Sequence, residues 1–88
     1  MNKNTIIEAI DARVKAPKKP DYKAWTVGIT NDTERRKSEH ATDHSVKHWK
    51  DWEADSEKDA REIEQAFIKK GMKGDTGGGD NPRFVYIF

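Results

Sequence analysis

An arginine and a histidine lie one helical turn apart in a segment whose composition favours a charged helix. Arg36 and His40 are four residues apart, so they share one face of a helix. An arginine can bind a phosphate through two parallel hydrogen bonds, and a histidine beside it can transfer a proton or orient a water. The pair therefore has the chemistry of a phosphate site, although a pair on an ordinary polar surface has the same spacing.

A glutamate lies on the apolar side of a later predicted helix. That helix has four apolar residues at helical spacing: Ala60, Ile63, Phe67 and Ile68. At about 100° per residue, Glu64 falls inside the arc that they span. A carboxylate on the buried side is costly unless it is paired or bound to a metal. Three interpretations remain open: Glu64 lies at the edge of the buried face, it pairs with an arginine such as Arg36, or it binds Mg²⁺. Proteins hold Mg²⁺ through one or two carboxylates and phosphate oxygens.

Glycines mark two further places where the backbone has a special role. Gly28 follows a run of strand-forming residues, where a glycine permits a bulge or the close approach of another group; a purely structural glycine looks the same. The glycine-rich segment 74–79 lacks the Lys-Ser/Thr ending of a phosphate-binding P-loop. We therefore interpret it as a connector.

Basic and aromatic residues are the remaining candidates for contact with a partner. The chain has 17 Lys and Arg against 16 Asp and Glu, a net charge of +1, which is lower than most dedicated nucleic-acid binders carry. Arg35 and Lys37 flank Arg36 and could extend a phosphate-facing stripe, or they could lie on a solvated surface. Trp25 could stack on a base or, like the other two tryptophans, fill the core.

The elements that must position these residues alternate between helix and strand. Apolar periodicity and a Thr5–Glu8 capping box predict a helix over 5–15, and the prolines of segment 16–20 predict a linker. We then expect a strand over 22–30, a charged helix over about 32–40, and an edge strand or a helix over 46–52. A helix starting at Ser56 and ending near Gly71, and a strand over 83–88, complete the core 21–88.

Size and composition restrict the class of protein. A chain of 88 residues predicts a single domain, and the absence of cysteine excludes disulfides and thiolate metal sites. No apolar run is long enough for a membrane span, and the N-terminus lacks the apolar region of a signal peptide. We expect a cytoplasmic α+β protein with no membrane partner.

The strand-to-helix segment 26–40 resembles the second-strand and first-helix signature of the GIY-YIG endonuclease family. In that family a Tyr-Ile/Val-Gly strand end precedes a helix whose arginine follows the glycine by eight residues, often with a histidine or tyrosine one turn later. Counting from Gly28 leads to Arg36, and His40 follows one turn on. Glu64 resembles the family's metal-binding glutamate, which precedes an apolar pair on a later helix. The resemblance implies a small three-stranded, or alternatively two-stranded, mostly antiparallel sheet flanked by three helices.

The segment differs from the family pattern at its tyrosines. Thr26 replaces the tyrosine of the second motif, and no Gly-Ile-Tyr strand precedes it; for the family's late asparagine the nearest candidate is Asn81. The C-terminal segment 85–87 could take the place of the missing first strand in a permuted fold, with Tyr86 supplying the phenol. The alternative is that Tyr86 is an ordinary aromatic residue of the sheet.

The resemblance implies a metal-dependent endonuclease that acts on DNA. Glu64 would hold Mg²⁺, Arg36 would stabilise charge on the phosphoryl group, and Tyr86 or His40 would help to deprotonate the attacking water. The alternative function is a catalytically inactive module that binds nucleic acid or a protein, for example an accessory protein of a phage or mobile element.

Overall fold

The computed structural model describes residues 1–16, 21–42, 46–75 and 81–88. Most of the predicted linker 16–20 and of the loops 41–45 and 74–79 lies outside these ranges. The helices are α1 (Lys3–Lys15), α2 (Thr33–Ala41) and α3 (Glu57–Lys70), with one 3-10 turn at Tyr22–Ala24. The strands are β1 (Thr26–Thr30), β2 (Lys50–Glu53), β3 (Lys73–Gly74) and β4 (Phe84–Ile87). The predicted pattern of three helices in an α+β fold is confirmed.

Side-chain caps fix where each helix begins. Asn2 caps α1 through the amide of Thr5, so the helix starts earlier than the predicted capping box at Thr5. Asp32 caps α2 through the amide of Arg35, and Ser56 caps α3. Gly71 ends α3 with a φ of 119°, a left-handed conformation that glycine adopts without a steric penalty.

The sheet has four strands in the order β2-β4-β1-β3. β4 pairs antiparallel with both β1 and β2, whereas β3 pairs parallel with β1. The expected three-stranded, mostly antiparallel sheet is therefore wrong in its strand count, and the sheet is mixed. The missed strand β3 has only two residues, one of them glycine, so it carries no alternation that the sequence could reveal. β2 lies at one edge of the sheet, where the segment 46–52 was expected to lie.

The two faces of the sheet have different coverings. One face packs against α1 and α3 and forms the hydrophobic core. The core residues include Ile6, Ile10, Val14, Val27, Ile29, Trp52, Ile63, Phe67, Val85 and Ile87. Because side chains alternate along a strand, Gly28 and Tyr86 lie on the opposite face, which α2 approaches. Within the described ranges, every helix is too short or too polar to cross a membrane.

Candidate active site

A row of residues crosses the sheet on the side of α2. Asp51 of β2 is opposite Tyr86 of β4, and Tyr86 is opposite Gly28 of β1. On the other side of β1, the backbone N–H of Asp75 donates to the carbonyl of Val27 at 3.0 Å, which continues the β3 pairing by one residue. Tyr86 and Asp75 are thus held on either side of one glycine.

Gly28 lets the Tyr86 side chain pass over β1. A Cβ atom at position 28 would lie within 3.0 Å of three atoms of the Tyr86 side chain, including its hydroxyl. Any larger residue would occupy the space through which the phenol reaches Asp75. The glycine of the sequence motif is therefore required by a close approach, which is one of the roles expected for it.

Helix α2 supplies the two other members of the site. Arg36 Nη2 donates to Asp75 Oδ2 at 2.5 Å, and His40 Nε2 lies 2.7 Å from the same oxygen. The Tyr86 hydroxyl also donates to Asp75 Oδ2. The Tyr86 hydroxyl is 3.5 Å from both Arg36 Nη2 and His40 Nε2. The predicted catalytic residues Arg36, His40 and Tyr86 therefore come together, around a single carboxylate oxygen.

Burial makes the electrostatics of this cluster strong. The side chains of Arg36, His40 and Asp75 are only 15%, 15% and 18% exposed. Burial alone would raise the pKa of Asp75, but hydrogen bonds from Tyr86, Arg36 and His40 outweigh it and lower that pKa. Burial and the hydrogen bond to Asp75 raise the pKa of Tyr86. At neutral pH the cluster therefore contains a carboxylate, a guanidinium and a protonated phenol.

Aromatic rings hold Tyr86 and His40 in place. The Trp49 ring stacks on the Tyr86 ring, with centroids 4.5 Å apart and planes 9° apart. The Phe88 ring lies 4.5 Å from the His40 ring, and Trp49 Nε1 donates to Asp51 Oδ2 at 2.8 Å. Side chains locked by packing keep a polar cluster preorganised, because little conformational entropy remains to be lost on binding.

Glu64 lies half-buried on α3, outside the hydrogen bonds of the cluster. Its pKa is raised by burial, lowered by the charge of Arg61 and raised by the charge of Asp75, with a net increase. The influence of Asp75 places Glu64 within electrostatic reach of the site. Among the residues that the structure describes, none forms a hydrogen bond or an ion pair with Glu64, so the expected alternative of a pair with Arg36 is not observed.

The remaining sequence candidates differ in their positions. Arg35 and Lys37 are exposed on α2 beside Arg36, and Arg35 pairs with Glu39 at 3.6 Å. Trp25 is half-buried against the core and contacts the His48 ring, so most of its surface is unavailable for stacking. Within ranges 1–16, 21–42, 46–75 and 81–88, no three His, Asp or Glu residues are grouped as a ready-made metal site.

Asp75 is the member of the site that sequence reasoning missed. It follows a two-residue strand and opens the glycine-rich segment, which the sequence presented as a connector. The signal available was an acidic residue inside the glycine-rich segment 74–79, but nothing local connects it to Arg36, thirty-nine positions earlier. Asn81, the candidate for the family asparagine, is exposed and lies at a bend with a φ of 50°.

Comparisons with known proteins reveal no relative from which a function could be transferred. No protein-family profile matches the chain, and neither a curated protein nor a solved structure matches it. The function must therefore be argued from the site itself.

Proposed function

We propose that the cluster of Arg36, His40 and Tyr86 binds the phosphate of a nucleic acid in a metal-dependent phosphodiesterase. The observation that carries this proposal is the convergence of three side chains from α2 and β4 on one anionic oxygen. A guanidinium, an imidazole and a phenol directed at one point bind a phosphoryl oxygen by the same hydrogen bonds that they make to a carboxylate.

Each residue then has a distinct role in hydrolysis. Arg36 stabilises the negative charge that develops on the phosphoryl oxygens, and Tyr86 donates a hydrogen bond to the same group. The raised pKa of Tyr86 keeps the phenol protonated, so the phenol acts as a donor. The proton of the attacking water is then accepted by the ring nitrogen of His40 that does not donate to the phosphate. Water adds to phosphorus, the bond to the leaving oxygen breaks, and solvent supplies the proton that this oxygen takes up.

Glu64 fits the role of a ligand to Mg²⁺. It is a half-buried carboxylate whose charge interacts with that of Asp75, and it forms no ion pair among the described residues. Mg²⁺ is commonly held by one or two carboxylates together with phosphate oxygens and waters, so a single well-placed glutamate suits it. A bound Mg²⁺ would polarise the phosphate and neutralise charge on the leaving oxygen.

The resemblance to the GIY-YIG family supports the same assignment. Gly28, Arg36, His40 and Glu64 carry the resemblance; the first three lie at the cluster, and the charge of Glu64 interacts with that of Asp75. β4 pairs directly with β1 and directs Tyr86 over Gly28, as a permuted domain requires if the C-terminal strand replaces the missing first strand. We propose DNA as the substrate, with Arg35 and Lys37 contacting its backbone beside the site.

The direct test is cleavage of supercoiled plasmid DNA in the presence of Mg²⁺ or Mn²⁺. We expect nicking by the unmodified protein, and at least about a hundredfold loss in Arg36→Lys and Glu64→Ala, as for other charge-stabilising groups. Arg36→Lys keeps the charge but removes the planar fork of donors.

Exposed residues on α3 provide matched controls. Arg61 pairs with Glu57 and Glu62 pairs with Lys3, both at the surface. Arg61→Lys and Glu62→Ala should keep full activity. Cleavage that persists in folded Glu64→Ala or Arg36→Lys would overturn the assignment.

The second candidate function is an inactive module that binds nucleic acid. It is favoured by Thr26, which stands where the family has a tyrosine, and by the fact that Asp75 already fills the cluster. A titration with Mg²⁺ followed by amide NMR separates the two functions. Shifts confined to the surroundings of Glu64 support the enzyme, whereas DNA binding without such shifts and without cleavage supports the binding module.

A further inference from the structure

The acceptor at the centre of the cluster is part of the protein chain. Asp75 Oδ2 receives hydrogen bonds from Arg36 and Tyr86 and lies 2.7 Å from His40 Nε2. Three donors around one anionic oxygen are the arrangement that an oxyanion site offers its ligand. Among the described residues, three donors therefore surround a site that an internal carboxylate occupies.

Asp75 also cancels the charge that would attract a phosphate. The guanidinium of Arg36 is neutralised by the adjacent carboxylate of Asp75. A second carboxylate beside Arg36, that of Glu39, is half-exposed and 3.5 Å away, so it is screened by water. A phosphodiester approaching this cluster would meet a negative charge at the position its own oxygen requires.

We propose that Asp75 is an internal competitor that occupies the phosphate seat formed by Arg36, His40 and Tyr86 and must leave it before a phosphate ester binds. This inference rests on the proposed function for the chemistry of the ligand. It assigns Asp75 an autoinhibitory contact in place of a catalytic role.

The backbone around Asp75 allows such an exchange without unfolding. The N–H of Asp75 is hydrogen-bonded to Val27, so the main chain stays attached to β1 while the short side chain rotates. Rotation also breaks the contact between His40 Nε2 and the carboxylate, so Arg36, Tyr86 and His40 become available to a phosphate oxygen together.

The test is the affinity of the full chain for inorganic phosphate at pH 7. In Asp75→Asn and Asp75→Ala the competing charge is removed, so both should bind phosphate at least about tenfold more tightly than the unmodified protein. The ¹⁵N signals of the Arg36 side chain and the His40 ring report binding at the seat itself. Adding Arg36→Ala to Asp75→Asn should abolish the gain.

Asp51 is the matched control for net charge. It lies in the same cross-strand row and on the same face of the sheet, and it bonds to Trp49 outside the three donors. Asp51→Asn changes the net charge by the same amount but should leave the affinity for phosphate unchanged. An equal gain in Asp51→Asn and Asp75→Asn would overturn the proposal, since it would show a general charge effect.

The result also separates this inference from the proposed function. Folded Asp75→Asn and Asp75→Ala proteins that bind phosphate no more tightly than the unmodified protein would overturn the inference, even if the unmodified protein cleaves DNA. Tighter phosphate binding in both variants would support it, even if no form of the protein cleaves DNA. Circular dichroism and urea unfolding establish that each variant is folded.

Discussion

At the scale of single residues, the arrangement of the candidate site depends on a glycine, Gly28, because it has no Cβ atom. Gly28 lies between Tyr86 and Asp75, and only the absence of a Cβ allows the phenol to cross β1. Tyr86 is completely buried, and Trp49 stacks on its ring, so the phenol has little freedom to move aside. The geometry of the polar cluster thus depends on a residue that makes no polar side-chain contact.

Gly28→Ala should therefore damage the site as well as the fold. The new methyl group would displace the Tyr86 ring, and overpacking of this kind typically costs about 1–3 kcal/mol of unfolding free energy. Urea unfolding gives the stability, and the ¹⁵N signals of His40 and Arg36 show whether the cluster is disturbed.

Gly74→Ala is the control for this prediction, because it also adds a methyl group to a strand glycine. Its Cβ would lie 2.9 Å from Cδ1 of Ile68, the far end of a flexible side chain that can rotate away. We expect a smaller loss of stability and unchanged signals from the cluster. Unchanged His40 and Arg36 signals in Gly28→Ala would contradict the role given to Gly28.

At the scale of elements, a polar connection ties α1 to α3 and to the 3-10 turn before β1. The Tyr22 hydroxyl donates to Asp11 Oδ1 at 2.7 Å, and Lys70 Nζ lies 3.0 Å from the same oxygen. The Tyr22 ring stacks against Phe67, with centroids 6.3 Å apart. This connection fixes the entry into β1, and hence the position of Gly28, from the opposite side of the sheet.

Tyr22→Phe should weaken this connection in a way that depends on pH. The hydrogen bond to Asp11, together with burial, raises the pKa of Tyr22 from 10.0 to about 12. Because the pKa is higher in the folded state, the stabilisation is fully present below pH 10 and is lost as the pH rises through 12. At pH 7 the substitution should cost about 1–2 kcal/mol of unfolding free energy.

Urea unfolding of both proteins between pH 7 and pH 11.5 checks this expectation. The difference between them should be constant up to about pH 9 and shrink above it, since only the unmodified protein loses the hydrogen bond to deprotonation. A difference that stays the same across the whole range would show that the hydroxyl of Tyr22 contributes no such bond.

At the scale of the whole molecule, the sheet separates the apolar residues that stabilise the fold from the polar residues of the candidate site. The face toward α1 and α3 contains the apolar core, whereas the face toward α2 contains the buried polar cluster. Glu64 lies on α3, a core-forming helix, yet its charge interacts with Asp75 on the other side. A half-buried carboxylate that forms no ion pair among the described residues lowers the stability of the fold, which is a common cost of a functional group.

Glu64→Gln should therefore raise stability while removing metal binding. Burial raises the folded-state pKa of Glu64 above 4.5, so the favourable neutral form is fully present below about pH 4.5 and is lost as the pH rises through that higher value. At pH 7 the neutral glutamine should unfold at a higher urea concentration than the glutamate, and the difference should vanish below about pH 4.

The response to Mg²⁺ tests whether Glu64 binds the metal, because removing a buried charge raises stability whether or not Glu64 is a ligand. A metal that binds only the folded state raises the melting temperature of the unmodified protein, and it should not do so in Glu64→Gln. Glu62→Gln, at an exposed position paired with Lys3, should keep the Mg²⁺ response. A Mg²⁺ response that survives in Glu64→Gln would exclude Glu64 as the ligand.

Local patterns in the sequence determined the helices and most of the strands. Apolar periodicity, caps such as Ser56 and the stop at Gly71 act over a few residues, so they can be read without the fold. The spacing of Gly28, Arg36 and His40 also lies within one strand-to-helix unit, and the structure brings these residues to one place as the spacing indicated.

Pairings between distant parts of the chain were decided only by the tertiary structure. β3 has two residues and exists because β1 offers it a free edge, so no local propensity could reveal it. The same pairing brings Asp75 to Arg36, and the position of β4 beside β1 brings Tyr86 over Gly28. Register between strands depends on side-chain packing across the sheet. The sequence alone therefore could not show that Asp75 is the acceptor at the centre of the cluster.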